Sequence, residues 1–119
     1  KIGVLDEKLF AYVEETEYCT RAKSQNIKII SVPLSQVYHK VSRSVPRNSP
    51  IRAYYESRNV LLFIKRHFRA YYLLSLIYHF IRIFMNFAIR YRSWSRFSFE
   101  LKGFFHACIG KVGKAEFHD

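Results

Sequence analysis

Carboxylate side chains are concentrated at the start of this 119-residue sequence, and they are the groups best suited to chemistry. They are Asp6, Glu7, Glu14, Glu15 and Glu17. Carboxylates at the beginning of a helix, followed by a histidine at the end of a strand, can supply a general base and a metal ligand. These residue types alone name no reaction. Adjacent glutamates at a helix start also complement the helix dipole, and a lone histidine is more often structural than a ligand.

A helix and two strands are predicted to position these groups. Residues 14–25 are typical of a helix, because acidic side chains crowd its first turn and Asn26 suits a left-handed end. Residues 28–32 and 36–40 predict two short strands, and His39 lies in the second. A polar loop at 42–50 precedes a proline-free region that predicts helices from residue 51 to about residue 110. We therefore expect an α/β fold with two parts, residues 1–50 and a basic, amphipathic helical tail at 51–119.

The second part of the chain is strongly basic. The 20 Lys and Arg residues against 9 Asp and Glu give a formal net charge of +11, most of which falls after residue 42. This asymmetry indicates an anionic partner, either nucleic acid or a membrane surface. Nucleic acid is disfavoured, because no known binding motif is present and the apolar content is too high. The composition, half apolar and 18% aromatic, excludes disordered and collagen-like proteins.

Residues 71–90 predict one long apolar helix with a narrow polar stripe. The stripe consists of Ser75, His79, Arg82, Asn86 and Arg90, which a helical rotation brings within roughly 80° of one another. Such a helix is long enough to cross a bilayer, but Arg82 would then lie near mid-membrane at a cost of at least ~2.5 kcal/mol. We therefore expect it to lie in the membrane interface with the stripe turned to the headgroups. The alternative is a bundle helix whose stripe faces solvent.

The run GVLDEKLFAYVEETEYCTRAKSQNIKIISVPLSQVYH, which begins at Gly3, resembles the C-terminal part of the catalytic domain of family 2 glycosyltransferases. These are inverting GT-A enzymes, with a Rossmann-like catalytic domain, that include rhamnosyltransferase-like members. The matching positions are Gly3, Asp6-Glu7, Phe10, Tyr12, Glu14-Glu15, Glu17, Arg21 and His39. The resemblance continues in YYESRN at 54–59 and in GKVGK at 110–114, so it extends over nearly the whole chain.

The resemblance implies transfer of a sugar, with inversion, from a nucleotide-sugar donor to a lipid-linked or polysaccharide acceptor in cell-surface glycan synthesis. Glu15 would take the proton from the acceptor hydroxyl, and His39 would help to hold a divalent cation, Mg²⁺ or Mn²⁺, at the leaving diphosphate. The acceptor pocket would be shaped by Asp6, Glu14, Glu17 and Arg21. The enzyme would lie peripherally on the cytoplasmic face of the bacterial inner membrane.

The sequence departs from the family pattern at several points, among them Glu15, Glu17 and the Asp-x-Asp motif. Glu15 stands where Asp is more common, and no Asp-x-Asp motif is present, because the only aspartates are Asp6 and Asp119. We therefore expect the C-terminal fragment of a longer transferase, inactive alone, whose cation binds only together with an N-terminal half. The alternative is a non-enzymatic, basic, amphipathic helical protein of the membrane surface.

Overall fold

Four α-helices form the framework of the computed structural model, which describes residues 2–38, 46 and 48–117. They are α1 (Glu14–Ser24), α2 (Pro50–His67), α3 (Tyr72–Met85) and α4 (Trp94–Cys108). A 3-10 helix at Arg69–Tyr71 leads into α3 and a π-helix at Asn86–Tyr91 continues it, so one helical stretch runs over Arg69–Tyr91. The predicted helix at 14–25 is confirmed, as is left-handed Asn26, whose φ is 57°.

The predicted α/β fold is wrong, because the described residues form helices and no strand. Residues 28–32 and 36–38 are irregular, and residues 39–40 of the second predicted strand lie outside the described part of the chain. Ile30 is 77% exposed and Val37 is 84% exposed. A strand needs a neighbouring strand to take up its backbone hydrogen bonds, and no such neighbour exists among the described residues. The β-branched composition of this segment was therefore not sufficient to form a sheet.

Helices α2 and α4 pack closely along each other and build the core. Gly103 permits this approach, since a Cβ at that position would lie 2.3 Å from the carbonyl oxygen of Tyr54. One part of the core is aliphatic and aromatic: Leu61, Ile83, Phe104 and Ala107. The other part is formed by Tyr54, Tyr55 and Ala115. The C-terminal segment after α4 is thus packed back onto α2.

The polar stripe of α3 faces the rest of the protein. His79 is buried, Arg82 Nη2 lies 3.1 Å from Glu100 Oε1, and Asn86 Nδ2 donates to the same oxygen at 3.1 Å. Burial raises the pKa of Glu100, although Arg82 and Asn86 act in the opposite direction. The predicted orientation, with the stripe toward lipid headgroups, is therefore wrong for these three residues. Arg82 and Asn86 turn inward because the buried carboxylate of Glu100 on α4 needs a cation and a donor.

The two ends of the stripe behave differently from its middle. Ser75 donates its hydroxyl to the Tyr71 carbonyl at 2.8 Å, and Arg90 is exposed, with its guanidinium over the Tyr91 ring.

Within the described residues, Arg69–Tyr91 is the one helix that is long and apolar enough to cross a membrane, with a mean hydropathy of 1.5. Only 11% of its most apolar 18 residues are buried, so the helix contributes Ile83 to the core but leaves most of its apolar surface uncovered.

Candidate functional site

The loop at residues 6–13, which we call the α1 loop, has an unusual backbone. Phe10, Tyr12 and Val13 have φ values of 65°, 64° and 74°, although each carries a sizeable side chain. This left-handed conformation costs roughly 1 kcal/mol or more for residues other than glycine. Contacts from elsewhere in the fold must therefore hold the α1 loop in place at the entrance to α1.

Two buried residues of α2, Arg58 and Asn59, supply those contacts. Asn59 Nδ2 lies 2.8, 2.6 and 3.0 Å from the carbonyl oxygens of Leu9, Ala11 and Tyr12. Arg58 donates from Nη2 to the Leu9 carbonyl at 3.1 Å and from Nε to Asn59 Oδ1 at 2.9 Å. We call this pair the Arg58–Asn59 clamp. It fixes the backbone immediately before Glu14.

The C-terminal segment closes on the same clamp. Arg58 Nη1 donates to the Gly113 carbonyl at 2.8 Å, and the Gly113 N–H donates to the Lys8 carbonyl at 2.6 Å. The Arg58 guanidinium also lies 5.3 Å and 5.0 Å from the ring centroids of Tyr54 and Tyr55. The α1 loop, which is part of the first segment that carries the sequence resemblance, thus meets the other two segments, 54–59 and 110–114, at one buried cation.

Glu17 forms the centre of a buried ionic network. Its carboxylate accepts from Arg21 Nε at 2.9 and 2.8 Å, from Arg66 Nη1 at 3.4 Å, and lies 3.2 Å from His67 Nε2. Only 1% of the Glu17 side chain is exposed. A carboxylate that is buried and bonded to these three side chains cannot reach an acceptor. Glu17 therefore has a structural role in place of the predicted contact with the acceptor.

Arg21 and Asp6 also support the framework. The Arg21 guanidinium donates to the carbonyl oxygens of Ile2 and Val4, which ties the first residues to α1. Asp6 accepts from the Arg66 guanidinium and from the Lys8 N–H. Partial burial by itself would raise the pKa of Asp6, but these hydrogen bonds outweigh it and hold the pKa below its usual value. Arg66 therefore links two of the predicted acceptor-site acids, Asp6 and Glu17, to α2.

Glu15 lies on an open groove of about 770 Å³ between α1 and the end of α2. The groove is also lined by Cys19, Lys23, Ile29, His67 and Phe68. Unlike Glu17, Glu15 is exposed, so its carboxylate can meet a ligand. Its neighbour Glu14 is half-buried, and the Oε2 atom of Glu14 has no hydrogen-bond partner among the described residues. Of the predicted site residues, Glu15 is thus the one best placed to act on a bound molecule.

A divalent cation does not fit the described residues. No group of three or more His, Cys, Asp or Glu side chains in 2–38, 46 and 48–117 is arranged to hold a metal ion. His39, the predicted metal ligand, lies outside this range. The histidine that the structure brings to the acidic cluster is His67, whose Nε2 is directed to Glu17.

The sequence did not indicate the structural role of four residues, Arg58, Asn59, Arg66 and His67. The first two appeared there only as letters of the YYESRN element. One signal was available: Arg58 lies on the same face of α2 as Tyr54 and Leu61, four residues before and three after it, which predicts burial. Nothing in the sequence indicated that its partners would be backbone carbonyls about fifty residues away.

Comparison with known proteins gives one informative similarity. A dTDP-rhamnosyl transferase, RfbF, of Shigella flexneri is 29% identical to this chain over 73 residues. The match spans 55% of this chain but only 25% of that protein. No family model matches the sequence, and no solved structure matches it. These findings support a distant relationship to a glycosyltransferase.

Proposed function

We propose that this chain supplies the catalytic base and one wall of the acceptor groove of an inverting glycosyltransferase. The observation that carries the proposal is the exposure of Glu15 on the groove while the neighbouring Glu17 is buried and fully paired. The Arg58–Asn59 clamp holds the backbone that leads into Glu14 and Glu15, so the base would be positioned before the acceptor arrives. The distant similarity to a dTDP-rhamnosyl transferase supports this class of reaction.

The proposed step moves one proton and exchanges one bond. The Glu15 carboxylate takes the proton of an acceptor hydroxyl, and that oxygen forms a bond to the anomeric carbon of the donor sugar. The bond between the anomeric carbon and the nucleoside diphosphate breaks on the opposite face, and its electron pair leaves with the diphosphate. Attack opposite the leaving group inverts the anomeric configuration. In this proposal the donor and its divalent cation are bound outside the described residues.

The groove suits a sugar acceptor in shape and composition. It is open, it is wide enough for a saccharide unit, and it combines polar side chains with the apolar surfaces of Ile29 and Phe68. Aromatic and aliphatic surfaces of this kind cover the C–H faces of sugars, while charged groups bind the hydroxyls. We propose a glycan or glycolipid as the acceptor and a nucleotide sugar as the donor.

Substitution Glu15→Gln tests the base assignment in the protein as it occurs naturally. Because the similar protein is a dTDP-rhamnosyl transferase, dTDP-rhamnose is the first donor to assay. We expect Glu15→Gln to lower kcat by at least about a hundredfold and to leave donor binding unchanged, since removal of a general base has effects of this order. Glu116→Gln, which changes an exposed glutamate in the C-terminal segment, is the matched control. Full turnover by Glu15→Gln would refute the assignment.

The outward face of the Arg69–Tyr91 helix favours a second candidate function, attachment to a membrane. A basic helical protein that only attaches to membranes would show the same exposed apolar side chains and the same net charge. The two functions differ in one measurable respect. Retention of nucleotide sugar by the natural protein, followed by release of the nucleoside diphosphate on addition of acceptor, favours the enzyme. Absence of both favours the attachment protein.

A further inference from the structure

The outward side of the Arg69–Tyr91 helix is a continuous apolar surface. Its aliphatic contributors include Leu73, Leu74, Ile77, Ile81 and Met85 of α3, and Ile89 of the π-helix continues them. We call these six residues the outer face of α3. Each of these side chains is between 51% and 71% exposed. Soluble proteins seldom leave a surface of this size and composition uncovered, and such surfaces usually mark a binding site.

The charge around the outer face identifies its occupant. Between Glu56 and Glu100 the sequence contains no acidic residue. Arg69 stands at one end of the helix, and Arg90 and Arg92 stand at the other, all three exposed. An apolar surface bounded by cations at both ends complements the acyl chains and the anionic headgroups of a lipid bilayer.

Aromatic side chains mark the same two ends. Tyr71 is 64% exposed and Trp94 is 71% exposed, one before α3 and one after the π-helix. Tyrosine and tryptophan favour the boundary between headgroups and acyl chains, because their rings are apolar with a polar atom at the edge. Residues of this kind at both ends fit a helix in contact with a bilayer.

The polar contacts on the inward side of the Arg69–Tyr91 helix are evidence that this helix does not cross the bilayer. His79 is buried against the protein, and Arg82 and Asn86 contact Glu100 of α4. A helix crossing the bilayer in this arrangement would carry the buried charges of α4 into the acyl region with it. Charged groups at that depth are costly, whereas a helix lying in the interface keeps them in the protein.

We propose that the protein docks on an anionic bilayer through the outer face of α3, with α3 parallel to the membrane plane and its polar stripe directed into the protein. This orientation is the reverse of the one that the sequence favoured. The inference is independent of the sugar-transfer proposal, since none of the groove residues takes part in it.

Vesicle binding tests the apolar contact. We expect the protein to sediment with vesicles of phosphatidylcholine mixed with phosphatidylglycerol. Ile77→Ser/Ile81→Ser should weaken this binding by at least about tenfold, because it removes apolar contact at the centre of the face. The matched control is Ile27→Ser/Ile30→Ser, which changes two exposed isoleucines that lie far from α3 in sequence and outside the groove lining. Far-UV circular dichroism verifies that both variants keep their helices.

Charge variants and the single tryptophan test the other two parts of the proposal. Arg69→Gln/Arg90→Gln should weaken binding to the anionic vesicles by about tenfold or more and leave binding to pure phosphatidylcholine unchanged. Trp94, the one tryptophan of the chain, should shift its emission to the blue and be quenched most by bromines placed near the headgroups.

Three results would overturn the proposal. The first is equal binding to neutral and anionic vesicles, and the second is equal binding by the isoleucine variant of α3 and its control. The third is a dimer that the Ile77→Ser/Ile81→Ser variant dissociates without loss of vesicle binding, which would assign the outer face to a second copy of the chain.

Discussion

Asn59→Asp is the substitution that tests most directly how the site is held in place. Aspartate has nearly the same size and shape as asparagine, so the packing around residue 59 is preserved. The change replaces an amide donor with an acceptor that faces the carbonyl oxygens of Leu9, Ala11 and Tyr12 at 2.6–3.0 Å. Arg58 can still donate to the remaining oxygen of the side chain, as it does to Asn59.

The magnitude follows from the contacts that are lost. Arg58 continues to satisfy the Leu9 carbonyl, so two carbonyls, those of Ala11 and Tyr12, lose the Asn59 donor. Each buried carbonyl without a donor costs about 1–3 kcal/mol, and these two are partly accessible, so the total is about 2–4 kcal/mol. The strain of three left-handed residues adds to this cost and favours a change in the α1 loop. We expect the loop to open locally before the helices separate.

Hydrogen exchange measures this opening. Amides in residues 9–19 should exchange at least about thirtyfold faster in Asn59→Asp, which corresponds to about 2 kcal/mol, while the middle of α4 stays protected. Transfer activity of the natural protein should fall in kcat, because Glu15 is no longer held at the groove. Ser57→Ala is the control, since Ser57 is equally buried but its Oγ has no hydrogen-bond partner among the described residues. Native exchange rates in Asn59→Asp would refute the clamp.

Two further predictions concern the packing of α4 and the buried histidine. Gly103→Ala should lower the free energy of unfolding by about 2–3 kcal/mol in a urea titration, because its Cβ would lie 2.3 Å from the backbone oxygen of Tyr54. Burial and the nearby Arg82 lower the pKa of His79 from 6.5 to about 4, so the folded state binds fewer protons than the unfolded state between these values. The contribution of neutral His79 to the free energy of unfolding should therefore be fully present above pH 6.5. It should fall by about 3 kcal/mol as the pH approaches 4.

Each of these two predictions has its own control. Ser98→Ala lies on the exposed side of α4 and should change the stability by less than about 0.5 kcal/mol. A Gly103→Ala variant as stable as this control would show that α2 and α4 can separate at no cost. For the histidine, His79→Leu should flatten the acid limb of the stability profile. If the free energy of unfolding of His79→Leu falls with decreasing pH as much as that of the unchanged protein, the fall arises from other groups. His106 is one of them, since burial also lowers its pKa.

The candidate site was predictable in its parts but not in its assembly. The sequence places Glu14, Glu15 and Glu17 in the first turn of a helix, where the dipole favours them, and the structure confirms that turn. It does not distinguish an exposed Glu15 from a buried Glu17, because that difference depends on Arg66 and His67, about fifty residues later. Local periodicity carries no information about contacts over such a separation.

The two predicted strands were wrong for a similar reason, because a strand also depends on partners far away in the sequence. Residues 28–32 have the composition of a strand, but hydrogen bonds of a strand are made to another strand, and the described residues provide none. A helix, in contrast, closes its hydrogen bonds within itself, which explains why helix prediction from 51 onward agreed with the structure.

The sequence by itself determined the helix that begins at Glu14, the helical character of residues 51 to about 110, the long apolar stretch within them and the separation of acidic and basic regions. These properties depend on side-chain types and on spacings of a few residues. Only the tertiary structure decided which side of α3 is covered and which carboxylate meets the groove. The buried Glu100 draws Arg82 and Asn86 inward and leaves the apolar side outside, since burying a charge without a partner costs more than exposing hydrocarbon to water.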